Sequence, residues 1–406
     1  VTTVSVGQGF SAFCEETHVM KAFVRGLPAG PVTVANNGLR CAGSEAANKQ
    51  MISSRLRSPI DGNPGMHAQG DRDAITWPAM LQSLMVSHRM LSFVCIAALS
   101  MYGSFVSSQS APVTKITPPT LRVFLLAGQS NMEGQAVVDL DHEQHYNGGR
   151  GTLQHVMTNA KDKQRYQHLR DQDGKWVTRS DVVVWYRARG EQMKAGPLSI
   201  GYAGYDGLHH FGPELQFGHV VGEHFTDPVL LIKAAWGGKS LAKDFLPPSA
   251  TGETGPYYTR MIAEYREAIA AVAKTFPQFA KHKPELSGFV WFQGWNDMCD
   301  AKFTASYEAN LVHLIRDVRR DLNAPKLPIV VAETGNADHE VFRAAQRAGV
   351  EHDDVAAPAV FVPTRALLRR PEDSPNTSHG HHWFGNAESY FLIGDAMGRA
   401  MLSLLK

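Results

Sequence analysis

From Leu121 to the C-terminus the chain alternates two kinds of segment, and this alternation constrains the fold more than any other feature. Short apolar runs of strand length occupy Leu121–Ala127, Val182–Tyr186, Val229–Ala235, Leu286–Phe292, Leu327–Glu333 and Val360–Thr364. Longer segments with helical character fall at Pro213–Phe225, Tyr257–Phe276, Thr304–Leu322, His339–Ala348 and Glu388–Leu405. A strand that is apolar throughout has no solvent face, so both sides of its sheet need a cover, and the intervening helices supply it. The pattern therefore predicts an α/β fold with a mainly parallel sheet covered on both faces. Pro213 suits the first turn of its helix, where a missing N–H is harmless. Residues 140–180 are polar, fit neither period and read as an insertion. In such sheets ligands sit beyond the carboxyl ends of the strands, so strand-end motifs carry the functional information.

The first third of the chain is of another kind. Residues 1–84 show neither helical nor alternating periodicity, are interrupted by Gly, Asn, Ser and Pro, and are expected to be an unstructured extension. Residues 85–110 then read MVSHRMLSFVCIAALSMYGSFVSSQS: a basic start at His88 and Arg89, an apolar run from Met90 to about Val106, and small residues at Ser107, Ser108 and Ser110. That is the layout of a secretory signal peptide, and the run falls short of the ~20 residues a spanning helix wants. An uncleaved anchor and a buried core helix are the alternatives. A signal this far into a chain implies a misplaced start, with the true one at Met80, Met85 or Met90, an exported product and a working domain of 111–406. The four cysteines, at 14, 41, 95 and 299, then reduce to Cys299, which leaves no intramolecular disulfide. Subtracting 110 residues from 406 also turns a length that allows two or three domains into one suited to a single large one. A net charge of +1 argues against a nucleic-acid partner.

Four strand-end segments contain chemistry. Gly128-Gln129-Ser130-Asn131-Met132-Glu133-Gly134 follows the first strand; a serine on a tight, Gly-flanked turn can present its hydroxyl to a cleft, or be an ordinary turn serine. Trp236-Gly237-Gly238-Lys239-Ser240 follows the Val229–Ala235 strand, and its glycines allow close backbone approach to a ligand. The Gly-Lys-Ser there lacks the upstream glycine of a phosphate-binding loop, the position being Lys233; Gly238–Ala242 also echoes a nucleophile elbow, which would make Ser240 the nucleophile. Gly294-Trp295-Asn296-Asp297 places a carboxamide where it can donate to a developing oxyanion, or simply shape a turn. Ser378-His379-Gly380-His381-His382-Trp383-Phe384-Gly385-Asn386 supplies histidines suited to general-base work; no carboxylate or cysteine with ligand spacing accompanies them to make a metal site.

Together these blocks resemble the SGNH-type hydrolases, and the Gly-Gln-Ser-Asn-Met form resembles their branch of sialate O-acetylesterases and carbohydrate esterase family six, which includes acetyl xylan esterases. The resemblance runs from about Leu121 to Lys406 and is supported by Phe211-Gly212-Pro213-Glu214 and Trp291-Phe292-Gln293-Gly294. It implies a flavodoxin-like three-layer α/β/α sandwich. It further implies Ser130 as nucleophile, and an oxyanion hole from the Ser130 N–H, the Gly237–Gly238 turn (Gly238 foremost) and the Asn296 side chain. A late histidine is the base: His382 first, His381 second. The family pattern has Asp three residues before that histidine. Here the corresponding positions hold His379 and Ser378, so Asp373 and Glu372 are the nearby candidates for the orienting acid, the alternative being a Ser-His dyad helped by a backbone carbonyl. The implied substrate is an acetylated carbohydrate, with Trp236, Trp295 and Trp383 available to stack a sugar ring or to pack the walls. The implied mechanism needs no metal or organic cofactor, and once the signal peptide is cleaved no stable membrane span is expected of this chain. A catalytically silent sugar-binding relative, kept open by the missing Asp, and an SGNH lipase or arylesterase are the competing functions.

Overall fold

A computed structural model describes residues 118–334, 338–356 and 358–406. The expected extension at 1–84 and the signal peptide at 85–110 lie outside the described residues.

The chain enters as β1 (Thr120–Gly128), a turn of helix α1 (Ser130–Glu133) and the short strand β2 (Ala136–Val137). The polar stretch read as an insertion contains α2 (Glu143–Tyr146) and α3 (Leu153–Asn159), and leads into β3 (Arg179–Arg187), β4 (Met193–Leu198) and β5 (His210–Phe211). Alternation follows: α4 (Glu214–His224), β6 (Val229–Ala235), α5 (Pro256–Thr275), β7 (Lys283–Phe292), α6 (Trp295–Met298), α7 (Ala301–Asp321), β8 (Ile329–Ala332), α8 (Glu340–Glu351), β9 (Ala359–Val362) and α9 (Ala387–Leu404). Helix starts follow local chemistry: Pro256 opens α5, the Asp300 carboxylate accepts the Lys302 and Phe303 N–H groups at the start of α7, and the Asn386 carboxamide caps α9.

The main sheet has the order β4-β3-β6-β1-β7-β8-β9. Every neighbouring pair is parallel except β3 with β4. With β3 and β4 set aside, the remaining strands read 2-1-3-4-5 in chain order, the flavodoxin-like arrangement. The β3–β4 pair is an addition outboard of β6, carried by the chain between β1 and α4. Sequence patterning misses β4 for a physical reason: residues along it alternate between exposed and half-buried, and it contains Gly196 and Pro197, which only an edge strand tolerates.

Alternate residues of β1 feed two cores, which explains its unbroken apolar run. Leu121, Val123, Leu125 and Ala127 pack on the face covered by α5, α7 and α8, with Met261, Leu311, Ile315 and Phe342. Phe124 and Leu126 pack on the face covered by α4 and α9, with Phe217, Val221, Tyr390 and Met397. The result is three layers, with β1 in the middle of the sheet and its neighbours β6 and β7 leaving in opposite directions. A crevice between diverging connections is where α/β sheets place ligands.

Candidate active site

The carboxyl end of β1 is built for close approach. A Cβ on Gly128 would lie 2.2 Å from the Phe292 carbonyl oxygen, so only glycine lets the ends of β1 and β7 meet there. The chain turns at once into α1, whose first residue is Ser130, 6% exposed. At the far side of the turn Gly134 has φ +98° and sits against the Gly212 backbone, where a Cβ would lie 2.6 Å from the Gly212 nitrogen.

The histidine expected as base arrives from the other end of the sequence. His382 Nε2 is 3.0 Å from Ser130 Oγ, within the range for proton abstraction. With Ser130 as donor, Nε2 accepts and the ring's proton sits on Nδ1. Burial, the rings of His381 and His379 and the Arg189 guanidinium hold His382 well below the usual histidine range, so it is neutral at neutral pH. Its loop carries two successive residues in the left-handed region, Trp383 at φ +52° and Phe384 at φ +55°. Non-glycine residues there store about 1–2 kcal/mol each. The conformation is held by the buried Trp383 indole and by hydrogen bonds from the Phe384 N–H to the His379 carbonyl and from the Asn386 N–H to the Trp383 carbonyl, each 3.0 Å.

Anion donors converge on the serine. The N–H groups of Ser130, Gly237 and Gly238 meet no protein acceptor among the described residues. Gly238 has φ +71°, a conformation that favours glycine. A Cβ on Gly237 would lie 3.7 Å from Ser130 Cβ, 3.4 Å from Arg189 Nη2 and 3.2 Å from Glu133 Oε2, which locates this turn beside the nucleophile. From the end of β7, the half-exposed Asn296 is joined to the nucleophile turn by a 3.1 Å hydrogen bond from Gln129 Nε2 to its Oδ1. The neighbouring Asp297 is fully buried and accepts from the Leu241 and Ala242 N–H groups and from Gln293 Nε2. Burial pushes its carboxyl up to about 6 against those donors. Asp297 thereby ties the Gly237–Ala242 segment to the β7 end.

Other side chains fix the turn itself. Asn131 Nδ2 donates to the His381 carbonyl at 3.1 Å while the Tyr390 hydroxyl donates to Asn131 Oδ1 at 2.6 Å, so the residue after the nucleophile tethers the histidine loop. Lys233, fully buried in β6, donates to the Glu133 and Tyr202 carbonyls and to Glu214 Oε2. Glu133 itself is buried and paired with Arg189 at 2.5 Å. Apart from Glu214, for which the resemblance implied structural support of this edge, none of these roles was read from the sequence. Only Lys233 carried a signal, a charge inside the otherwise apolar VLLIKAA strand, since a buried ammonium requires partners.

The structure brings together Ser130, His382, the Gly237–Gly238 turn and, through Gln129, Asn296. It does not bring the proposed acids to His382. The Asp373 carboxylate accepts from Arg370 Nε at 2.7 Å and is half exposed; Glu372 also faces Arg370, at 3.1 Å. Among the described residues no carboxylate bonds to His382. The cause is local: the short turn at Pro371–Asp373 aims both side chains back at their own arginine. The His381 ring lies 4.0 Å from the His382 ring, tilted by 51° to it, and it is His382 that reaches Ser130. Ser240 is not poised as a nucleophile: its hydroxyl and N–H both bind Asp244 Oδ2, capping a turn. Of the three tryptophans, Trp383 is wholly buried and Trp236 packs on Phe245 and Tyr257, while Trp295 keeps a partly open face near His381.

Residues 120–403 match the family model described as carbohydrate esterase, sialic acid-specific acetylesterase. A probable carbohydrate esterase of Arabidopsis thaliana is 25% identical over 241 residues, covering 56% of this chain and 74% of the plant protein. Among solved structures, an Arabidopsis thaliana protein aligns at 17% identity over 71% of this chain and 100% of its own, with a TM-score of 0.45. A carbohydrate acetylesterase from Xanthomonas citri aligns at 13% identity over 70% of this chain and 56% of its own, with a TM-score of 0.39. NanS aligns at 16% identity over 71% and 98%, with a TM-score of 0.45. With the family model spanning the body of the fold from β1 to α9, the chain belongs to the sialic acid-specific acetylesterase family of carbohydrate esterases.

Proposed function

We propose that this protein is an exported O-acetylesterase that removes acetyl groups from sugars through an acyl-enzyme on Ser130. The observation that carries the reading is the 3.0 Å contact between His382 Nε2 and Ser130 Oγ beside unengaged backbone donors. His382 takes the hydroxyl proton as Ser130 Oγ attacks the acetyl carbonyl. The Ser130 N–H, one N–H of the Gly237–Gly238 turn and Asn296 Nδ2 receive the oxyanion. His382 then protonates the departing sugar oxygen. Water, deprotonated by the same ring, releases acetate and restores Ser130. With Asp373 committed to Arg370, the centre works as a dyad whose imidazole is positioned by its main chain. No metal or organic cofactor enters these steps.

The favoured substrate is a 9-O-acetylated sialic acid, with acetylated polysaccharide as the other member of the class. The family description supports it. So does Arg189, whose guanidinium is fixed by Glu133 beside Gly237 on a side chain that remains 44% exposed, a placement suited to an acidic sugar. Acetate release from 9-O-acetylated sialic acid, acetyl xylan and p-nitrophenyl acetate tests the reading. Turnover is expected on all three or on a subset, and Ser130→Ala is expected to abolish it. Unchanged turnover in that variant overturns the serine mechanism. Binding of acetylated sugar with no turnover by the parent protein identifies the silent relative instead.

A further inference from the structure

We infer that Gln129 is a positioning residue that sets which end of the Asn296 carboxamide faces the reacting carbonyl. The inference rests on the proposed role of Asn296 in the oxyanion hole and adds what makes that side chain a donor rather than an acceptor.

A carboxamide has one accepting and one donating end of nearly the same shape. Left to itself at a half-exposed position, Asn296 presents either. Presented oxygen-first, it would repel an oxyanion instead of stabilising it. The choice is settled by a chain of hydrogen bonds whose origin cannot reverse. The Gly294 N–H donates to Gln129 Oε1 at 3.0 Å, in a fully buried contact. A backbone N–H only donates, so the atom facing it must be the Gln129 oxygen. That leaves Gln129 Nε2 facing Asn296 at 3.1 Å, and an amide nitrogen only donates, so the Asn296 atom facing it must be Oδ1. Asn296 Nδ2 is then the free end, and it makes no hydrogen bond within the protein among the described residues. Gln129 is 1% exposed, so water does not compete for either of its ends. Gly294, at φ +150°, turns the chain beyond that N–H from β7 into α6, which carries Asn296. The polarity of the backbone at the end of β7 is thus relayed through Gln129 to the side chain of Asn296, two residues further on.

The test is a double-mutant cycle on the full chain, read as kcat and KM for acetyl ester hydrolysis. In Gln129→Glu the carboxylate still accepts from Gly294, but its second oxygen accepts too. It therefore draws Asn296 Nδ2 toward itself and turns Oδ1 into the hole. Loss of an oxyanion donor lowers kcat by roughly 10²–10³, and the expected result is a fall of that size with KM changed by less than about threefold. Asn296→Ala is expected to cost a similar factor, and Gln129→Glu added to Asn296→Ala to cost little more. Gln129→Met removes both bonds without adding charge and serves if the glutamate variant does not fold; its expected loss is about tenfold, again absent in the Asn296→Ala background. If the two losses multiply, Gln129 acts by some other route and the inference falls while the esterase reading stands. If Asn296→Ala is harmless in a Ser130-dependent enzyme, both the donor role and its positioning fall. If hydrolysis persists in Ser130→Ala, the esterase reading itself is at fault.

Discussion

Lys233 and Glu214 form an ion pair with no exposed surface on either side chain, 2.9 Å apart, at the centre of the structure that carries the nucleophile. Burial pushes the Lys233 ammonium below the usual lysine range, and Glu214 opposes that shift. The remaining contacts are complete: Lys233 donates to two carbonyls as well, and Glu214 Oε1 accepts from the Gly212 N–H. Lys233→Met keeps the length and apolar bulk of the stem but leaves a buried carboxylate without its counter-charge, with the Gly212 N–H as its remaining donor. Removing one partner of such a pair costs about 3–5 kcal/mol, and the two carbonyls left without a donor push toward the upper figure. For a domain of this size that is a fall in melting temperature of about 5–8 °C. Thermal and urea unfolding followed by circular dichroism measure it. The double variant Lys233→Met, Glu214→Leu removes both charges, and because well-packed apolar replacement of a buried pair is often neutral, at least half of the loss is expected to return. The single variant is also expected to lose activity below its unfolding temperature, since Lys233 holds the Glu133 carbonyl at the end of the nucleophile turn. A single variant within about 1 kcal/mol of the parent, or a double variant that sums the two single losses, refutes the reasoning.

Two further expectations follow from the same site and from the sequence upstream of it. Because burial, His381, His379 and Arg189 hold the His382 imidazole well below 6.5, and activity is lost as the base protonates, the acid limb of kcat/KM is expected below pH 6.5; a limb at or above that value contradicts the assignment of His382. Export through residues 85–110 predicts that N-terminal sequencing of secreted protein reads from near residue 111, whereas a mature chain starting near residue 1 overturns it.

The sheet was legible because burial on both faces leaves a strand no freedom to be anything but apolar. Val229–Ala235 was delimited to the residue for that reason, despite containing Lys233, and β1 was placed within a residue at each end. Edge strand β4 had no such constraint, and patterning passed over it. Helix ends were placed less well: α8 runs to Glu351 rather than Ala348, because its last turn is specified by packing of Val350 and not by any stop signal. The turn that carries Ser130 was legible because each residue around it is constrained for a different reason. Gly128 admits the neighbouring strand, Met132 is wholly buried in the core, and Gly134 turns back against Gly212.

Among the described residues no acid stands at His382, and the reason bears on how that histidine is held. Proximity in sequence to His382 recommended Asp373, but orientation of a histidine ring needs only that its main chain be fixed and its nitrogen be aimed. Here the main chain is fixed from the nucleophile side. Asn131 Nδ2 binds the His381 carbonyl, the Tyr390 hydroxyl binds Asn131 Oδ1, and the same hydroxyl lies 3.4 Å from the His382 carbonyl. The Trp383 ring, fully buried, anchors the strained turn that follows. A carboxylate beside the ring would add electrostatic stabilisation of the imidazolium; the neighbours observed there are instead the rings of His379 and His381, and burial lowers the His381 imidazole to about 4. The Gly-Gln-Ser-Asn sequence thus organises both halves of the candidate site from one turn: Gln129 reaches Asn296 at the end of β7, and Asn131 reaches the histidine loop before α9. Two carboxamides of opposite reach make a nucleophile turn that carries its own scaffold, so the late histidine block is free to depart from the family pattern without dispersing the centre.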